Sequence, residues 1–425
     1  MLDRTLAPAF RAIDKISLLQ PQHQLLPNGV NLYVLDAADQ DLVRIEWIFA
    51  NSLYDPQHPL ANIATSGMLL EGTEATPAAG IAEQVDFCGA FLQPEFTADH
   101  TALSLYTLNK HLPVLLPLVK EILTTAIFPQ KELDTFIRNN KQKLQVSLKK
   151  NDFVARREFN SALFNENRYG YVPLADDYDR LDRDVLAQVY RHDYVPTNCT
   201  LLVAGRVTDT VLADIIRIFG DEWSGNGQTP AVESPVFDEV DNGVRLIERP
   251  AALQSAIRIG CRSIQRAHPD FPALQFVNAL LGGYFGSRLM ANIREEKGYT
   301  YGIGSGLVSL RWGAFFTIST EVGVAVTSNT LTEIEKELYR LHTEPVDAEE
   351  LELVKNFMLG AFLGSLENVF SHVDRFKAAL FSGLDAGYYS YYVDVIRAMT
   401  PASVTETART YLNYDAMVKV VVGKI

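Results

Sequence analysis

An arginine and a tyrosine seven residues apart could together bind a peptide carbonyl. Arg294 lies in a segment that we predict as a helix from about Ser287, and Gly298 is expected to end this helix in a left-handed conformation. A strand is predicted to start near Tyr299, with Tyr301 at its beginning. Because only a turn separates the two elements, we expect both side chains to approach one point. A guanidinium and a phenol hydroxyl that meet there would donate hydrogen bonds to a carbonyl and to the oxyanion that it becomes.

A structural role is the alternative for the same two residues. Arg294 would then form an ion pair with Glu295 or another neighbour on a solvated helix face, and Tyr301 would pack. Spacing alone does not separate the two interpretations.

The sequence lacks the usual motifs for other chemistry. Its eight histidines form neither H-E-x-x-H nor H-x-x-E-H, and no G-x-S-x-G nucleophile motif is present. The glycine-rich stretch 282–286 follows a helical pattern and lacks the Lys-Ser/Thr of a phosphate-binding loop. His100 could be functional, although a strand or turn position that faces water is the favoured interpretation. The three cysteines form no C-x-x-C pair, which favours small buried side chains over a disulfide or metal site: Cys88, Cys199 and Cys261.

Length and composition limit the class of protein. The chain has 425 residues, of which 47% are hydrophobic, so a substantial core and two or three domains are expected. The net charge of -14 argues against nucleic acid or an anionic membrane as the main partner. The first 20 residues lack the pattern of a secretory signal, and no apolar run is long enough to span a bilayer. We therefore expect a cytoplasmic protein.

The sequence repeats itself once. Asn28-Gly29-Val30-Asn31-Leu32 recurs loosely as Asn242-Gly243-Val244-Arg245-Leu246, and an alternating segment, 42–49 or 255–261, follows each copy. A His-Pro pair then opens a helical stretch in both halves, and both halves close on a β-rich segment that ends in glycine and a basic residue. We predict two homologous domains, 1–223 and 240–425, joined by a linker rich in Gly, Pro and polar residues at 224–239.

Each half mixes strands with long helices. The order does not follow a strict βαβ alternation, which predicts the α+β class, with α/β sandwiches rather than a parallel-sheet fold.

The stretch from Ser287 to Ser305 resembles the C-terminal signature of M16 (pitrilysin- and insulinase-like) metallopeptidases, S-R-L followed by L-R-E-x-x-G-x-x-Y. In that family an Arg and a Tyr seven residues apart hold the substrate and the tetrahedral intermediate, and Arg294 and Tyr301 match them. The resemblance covers nearly the whole chain. It implies two homologous α/β-sandwich domains of the M16 metallohydrolase type, which form one half of a clamshell around a peptide-binding chamber.

The metal-binding positions of active members are not retained. In those members H-x-x-E-H precedes a segment that resembles Met68-Leu69-Leu70-Glu71-Gly72-Thr73, so Ile63, Ser66 and Gly67 occupy the positions of the two histidines and the glutamate. The third ligand, a Glu, should fall within Gln142-Lys143-Leu144-Gln145, which has no carboxylate. These side chains cannot form a His₂Glu zinc site or supply its general base, so the resemblance implies no metal in this chain.

A proline alters the strand that aligns the substrate in active members. Pro94 lies in the segment Phe91–Phe96, where an Asn-Ala pair is usual. Because proline cannot donate to a β-ladder, we expect this edge to bind a peptide weakly.

The resemblance implies a non-catalytic subunit that binds substrate. The expected partner is an M16 chain of similar size that carries H-x-x-E-H and the zinc, in a heterodimer that cleaves peptides or unfolded polypeptides. A proteolytically inactive structural or assembly protein, as in the core of a respiratory complex, and a peptide-binding homodimer are the alternatives. No other cofactor is expected.

Overall fold

The structure is a computed structural model that describes residue 13 and the ranges 16–37, 40–225, 228–385 and 387–425. Residues 1–12, at the start of the predicted first domain, and residues 226–227 of the predicted linker lie outside the described part. The described part contains two mixed sheets, each covered by helices. The predicted α+β class is confirmed.

The first sheet has, within the described residues, six strands in the order β1-β2-β6-β3-β5-β4. Strand β6 pairs parallel with β2 and antiparallel with β3 at the centre of the sheet, and β4 forms one edge. The strands are β1 Gln22–Leu25, β2 Asn31–Asp36, β3 Leu42–Ala50, β4 Phe91–Phe96, β5 His100–Leu108 and β6 Cys199–Gly205.

The helices of the first half occur mainly between β3 and β4 and between β5 and β6. Most of them pack on one face of the first sheet, where apolar residues alternate along β3 with residues that point to the other face. These helices are α1 Ala61–Gly67, α2 Ala78–Phe87, α3 Leu112–Thr125, α4 Gln130–Ser147, α5 Asn151–Phe164, α6 Ala175–Asp179, α7 Arg183–Asp193 and α8 Asp209–Ile216.

The second sheet has the order β7-β11-β8-β10-β9, again with a parallel pair, β7 and β11, next to antiparallel neighbours. Its strands are β7 Val244–Glu248, β8 Gln254–Arg262, β9 Ile303–Ser309, β10 Ala314–Gly323 and β11 Val418–Gly423. The helices of this half are α9 Phe271–Asn278, α10 Thr327–Thr343, α11 Ala348–Gly364, α12 Val369–Leu380, α13 Tyr388–Ala398 and α14 Pro401–Tyr411. Two π-helical segments, Ala279–Gly283 and Met290–Glu296, flank the glycine-rich turn of this half.

The two sheets are copies of one topology. Gly205 and Gly423 end equivalent strands with φ of 129° and 144°, and each allows a close approach to the neighbouring strand. When these two glycines are aligned, the registers of the neighbouring strands make Val43 equivalent to Ser255 and Phe49 equivalent to Cys261. This agrees with the repeat predicted for the alternating segments.

The ladders correct the alignment of the preceding strands. They equate Leu32 with Val244, because Leu32 and Val244 face equivalent residues of β6 and β11. The sequence alignment of the Asn-Gly-Val motifs had placed Leu32 against Leu246, and was therefore two residues out of register. A shift of two residues keeps every side chain on the same face of the sheet, so the apolar pattern could not reveal it.

The two halves exchange a helix. Helix α5 of the first half packs on the outer face of the second sheet, against β8 and β11. Helix α12 of the second half packs on the outer face of the first sheet, against β2 and β6. The domain limits 1–223 and 240–425 remain a prediction: each range contains one sheet, but each also supplies a helix to the sheet of the other range.

In the described ranges, no helix combines the length and the apolar character needed to cross a bilayer.

Candidate functional site

Helix α1 carries the three positions where a metal motif was expected. Ile63 is partly exposed, Ser66 is buried, and Gly67 ends the helix. A Cβ atom placed on Gly67 would lie 2.8 Å from Cε2 of Phe136, a residue of α4. A histidine at position 67 therefore cannot be accommodated unless the Phe136 ring moves.

The expected third ligand position also lacks a ligand. Gln142 to Gln145 lie in α4, the helix that brings Phe136 against α1. No group of three or more His, Cys, Asp or Glu residues within the described ranges could hold a metal ion. The residues present do not fit a zinc ion, because isoleucine and glycine offer no ligand atom and Phe136 takes the space of a second histidine.

The helix of Arg294 is fixed from two sides. Arg288 at its start forms a two-pronged ion pair with Glu350 of α11, at 2.9 and 2.7 Å. In the next turn, Nδ2 of Asn292 donates to Oε1 of the buried Glu337 of α10 at 2.7 Å. These polar ties hold the backbone that carries Arg294 in one orientation.

The guanidinium of Arg294 lies over an aromatic ring. Its Cζ is 4.7 Å from the ring centroid of Phe285, a cation–π distance. Within the described residues it has no hydrogen bond and no ion pair, so the alternative of a pair with Glu295 is not observed. Lys297 pairs with Glu296 instead, at 2.5 Å. Arg294 therefore keeps its hydrogen-bond donors available.

The hydroxyl of Tyr301 projects into solvent, since the residue is 94% exposed. Gly298 has φ of 66°, as predicted for the end of the helix, whereas the strand begins at Ile303 and leaves Tyr301 in the preceding turn. The backbone beside it is fixed, because Thr300 Oγ1 donates to the carbonyl of Glu321 at 2.7 Å. Among the described residues, no hydrogen bond or cation–π contact is found between the side chains of Arg294 and Tyr301. Their convergence on one point therefore remains a prediction.

The first half has an equivalent of this region without its polar groups. Helix α2 is followed by Gly89, with φ of 58°, and by the edge strand β4. The prominent exposed side chains here are Phe87 and Phe91, at 89% and 73% exposure. Pro94 lies in β4 as predicted, and its place in an edge strand accommodates the missing N–H group.

His100 lies between the two halves rather than facing open water. Its ring is 4.2 Å from that of Phe381, which follows α12, and the two rings line a cavity of about 340 Å³. Burial lowers the pKa of His100 to about 4, an effect that Arg311 and Lys377 reinforce and Asp99 opposes. His100 begins strand β5, as the interpretation of a strand position predicted, but its ring faces the helix from the other half rather than open water.

Sequence reasoning missed two features of these surfaces. Phe136 belongs to no recognisable motif, so no local signal in the sequence linked it to Gly67. Arg266 and Arg375 line one cavity although they stand 109 residues apart (375 − 266). Neither belongs to a recognisable motif.

A family model and several curated proteins match this chain. Residues 180–358 match the model described as the peptidase M16 inactive domain. An uncharacterized zinc protease, YmxG of Bacillus subtilis, is 25% identical over 311 residues, which are 72% of this chain and 75% of that protein. A non-peptidase homolog, YmxG of Helicobacter pylori, is 20% identical over 96% of this chain and 92% of its own. Subunit 1 of the mitochondrial cytochrome b-c1 complex of Bos taurus is 24% identical over 63% of this chain and 56% of its own.

A solved structure shares the fold over almost the entire chain. The peptidase M16 inactive domain from Pseudomonas fluorescens superposes with a TM-score of 0.87 at 22% identity, and the match covers 96% of this chain and 98% of that one. At this level of identity the likeness establishes the fold and not the activity.

Proposed function

We propose that this chain, which matches the peptidase M16 inactive domain over residues 180–358 and lacks the H-x-x-E-H zinc motif, is the non-catalytic, substrate-binding subunit of a two-chain peptidase. Its partner would be an M16 chain of similar size with the intact motif, and the pair would cleave peptides or unfolded polypeptides. The partner would contribute the metal and the general base that this chain lacks.

One contrast carries the proposal. In the first half, the metal positions are replaced and the space beside Gly67 is filled by Phe136. In the second half, Arg294 and Tyr301 carry donors that no residue of the described chain uses. A surface that keeps a rigidly mounted arginine and an exposed tyrosine without internal partners is suited to contact another molecule.

The two side chains would have different roles. The Tyr301 hydroxyl would donate to the oxyanion that forms on the attacked carbonyl, where a single donor contributes most in the transition state. The Arg294 guanidinium would hold the carbonyl groups of the substrate backbone. Its contact with Phe285 orients the guanidinium without neutralising its charge. In this arrangement Tyr301 would mainly increase kcat, and Arg294 would mainly strengthen substrate binding.

The test is reconstitution with an H-x-x-E-H chain from the same host, followed by an assay of chelator-sensitive peptide hydrolysis. In the active pair, Tyr301→Phe should lower kcat by about 10²- to 10³-fold with little change in KM. Arg294→Gln should raise KM by about tenfold or more. Tyr339→Phe is the matched control, because Tyr339 is another exposed tyrosine of the second half, on α10. An unchanged kcat in Tyr301→Phe would contradict the proposed role.

An assembly role is the second candidate, and two observations favour it. One curated relative is a subunit of the cytochrome b-c1 complex. In addition, Phe87 and Phe91 form an exposed apolar edge in the first half. Affinity purification of the tagged chain from its host separates the two candidates. A stoichiometric H-x-x-E-H chain with hydrolytic activity supports the peptidase, whereas a zinc-free, inactive complex or lone chain supports the assembly role.

A further inference from the structure

A cavity of about 370 Å³ lies inside the second half, away from the Arg294 side chain. Residues of helices α9, α11, α12 and α13 and of strand β9 line it, and its polar lining consists mainly of arginine and tyrosine. We call it the tyrosine cavity and define it by Arg266, Arg375, Tyr388, Tyr389 and Tyr392.

The cavity has a positive charge that nothing in its lining balances. Arg266 and Arg375 line it, and no aspartate or glutamate does. Within the described ranges neither guanidinium has a carboxylate at ion-pair distance, although the chain as a whole carries a net charge of -14. Arg375 donates from Nε to the hydroxyl of Ser365 at 3.1 Å, and Arg266 lies 5.6 Å from the ring of Phe271. Partly buried guanidinium groups without a counter-charge favour binding of an anion.

A neighbouring cavity does not supply the missing charge. Arg266 also lines the cavity beside His100, which contains the carboxylates of Glu95, Asp99 and Asp374. Asp374 is engaged by Arg44, and Asp99 accepts hydrogen bonds from Tyr169 and from the backbone of Arg311. In the described part of the chain, none of the three forms an ion pair with Arg266.

The tyrosine cavity also contains buried polar groups. Among the described residues Oδ1 of Asn278 has no hydrogen-bond partner, whereas the buried Tyr388 hydroxyl lies beside the Arg266 guanidinium. Burial raises the pKa of Tyr388 and Tyr392 to about 12, against the opposing charges of the two arginines. Both hydroxyls are therefore protonated at neutral pH and can donate to an anion. The Tyr389 hydroxyl instead donates to the backbone carbonyl of Arg375 at 2.8 Å, which fixes the position of that arginine.

The rest of the lining is apolar. Leu307, Phe357, Met358 and Phe362 offer a hydrophobic surface, and the Arg375 guanidinium lies 5.7 Å from the ring centroid of Phe362. The volume is near the lower end of the range for small-molecule sites, about 300 to 1,000 Å³. It admits one small ring or a short chain end, but not a folded partner.

We propose that the tyrosine cavity binds an organic oxyanion, in which a carboxylate or phosphate lies between Arg266 and Arg375 and an apolar or aromatic portion lies against Phe357 and Phe362. The planar donor forks of two arginines match the oxygens of either group. The ligand is either a free small molecule or the end of a bound peptide, since both offer the same chemistry. The site goes beyond the proposed function, because it uses neither Arg294 nor Tyr301 and requires no partner chain.

Isothermal titration calorimetry of the full chain alone tests the proposal. The probes are phenyl phosphate, inorganic phosphate, neutral benzyl alcohol, and a short peptide that ends in phenylalanine with either a free carboxylate or an amide. We expect phenyl phosphate or the peptide acid to bind with Kd below about 1 mM, and to weaken as salt is added. Benzyl alcohol and the peptide amide should bind at least about tenfold more weakly. Preference for phenyl phosphate indicates a small-molecule ligand, and preference for the peptide acid indicates a peptide end.

Substitutions locate the binding. Arg266→Gln and Arg375→Gln should each weaken the better probe by about tenfold or more. Arg266→Lys and Arg375→Lys keep the charge and serve as variants that preserve the fold, with a smaller loss expected. Arg138→Gln is the control, because Arg138 is an exposed arginine of α4 in the first half. The proposal is overturned if no oxyanion probe binds below about 10 mM, if the cavity variants bind as the parent does, or if Arg138→Gln weakens binding equally.

Discussion

The two halves share one sheet topology, yet the outer faces of their sheets are built differently. Glu46 of β3 and Arg258 of β8 are equivalent, since each faces a serine of the next strand, Ser104 or Ser319. Glu46 forms an ion pair with Lys377 of α12, and Arg258 forms one with Asp152 of α5. The charge is inverted, but in both halves it joins the sheet to the helix donated by the other half.

The side chains that pack beside these ion pairs also differ in size between the two halves. On the first sheet Ile48 packs with Val369 and Val373 of α12. The equivalent of Ile48 is Gly260, where a Cβ would lie 1.9 Å from the carbonyl oxygen of Phe316 in β10 and 2.9 Å from the ring of Phe159 of α5. The first sheet therefore presents an isoleucine to two valines of α12, whereas the second sheet presents a glycine to a phenylalanine of α5. The comparison indicates that the exchange of helices is retained while the side chains that secure it are free to change in pairs.

The helical faces differ in a way that bears on function. In the first half, Phe136 of α4 fills the space beside α1. In the second half, the corresponding region between α9 and α11 contains the tyrosine cavity, with its two arginines. The half in which the resemblance placed a metal site therefore has neither the room nor the ligands for one among its described residues, and the other half offers unpaired donors.

The largest expected effect is on the docking of α5. Phe159→Ala removes a fully buried ring beside Gly260 and should lower the free energy of unfolding by about 3 to 5 kcal/mol. Val373→Ala, on α12, removes a smaller buried group and should cost about 2 kcal/mol. Urea unfolding of both variants measures the difference. If the two variants lost the same free energy of unfolding, α5 and α12 would not differ in how strongly their buried side chains stabilise the docking.

Acid should loosen α12 rather than α5. The pKa of His100 is about 4 in the folded chain, below its ordinary value of 6.5, so the unfolded chain binds a proton at higher pH than the folded chain. Stability is therefore lost as the pH falls from about 6.5 to about 4, by up to about 3 kcal/mol. Hydrogen exchange of α12 should accelerate across this range relative to α5. The acceleration should be reduced in His100→Gln, and a similar acceleration in that variant would assign it to other groups.

The inverted ion pairs should differ in strength because they differ in burial. Lys377→Met leaves the buried carboxylate of Glu46 with one cationic partner fewer and should cost about 2 kcal/mol. Asp152→Asn breaks a pair whose aspartate is half exposed and should cost about 0.5 to 1 kcal/mol. Urea unfolding with and without added salt checks the order. A larger loss in Asp152→Asn would reverse the comparison.

The smallest effect concerns the filled metal position. Gly67→Ala should cost about 1 kcal/mol, because the new methyl group meets the Phe136 ring. In a Phe136→Ala background the same substitution should be neutral or stabilising, since the clash is removed and alanine favours a helix more than glycine does. A double-mutant cycle in urea measures this coupling. Additive effects would mean that Phe136 does not occupy the space.

Local patterns in the sequence predicted much of the fold and part of the candidate site. The alternation along β3 and β8, the left-handed glycine at Gly298 and the absence of ligand side chains at Ile63 and Gly67 all follow from residue types and short spacings. The water-facing orientation expected for His100 is not observed, because its environment comes from Phe381, which is remote in the chain. The position of Tyr301 before β9, rather than inside it, depended on tertiary pairing with β10.

The sequence by itself determined the class of the fold, the duplication and the loss of the metal motif, because these depend on periodicity and on the identity of single residues. Only the tertiary structure decided that α5 and α12 change places, that Phe136 fills the space beside Gly67, and that Arg266 and Arg375 share a cavity without a carboxylate. The physical reason is the same in each case. Such contacts join residues tens to hundreds of positions apart, and which of them meet depends on how whole elements pack, a choice that no short segment of the sequence encodes.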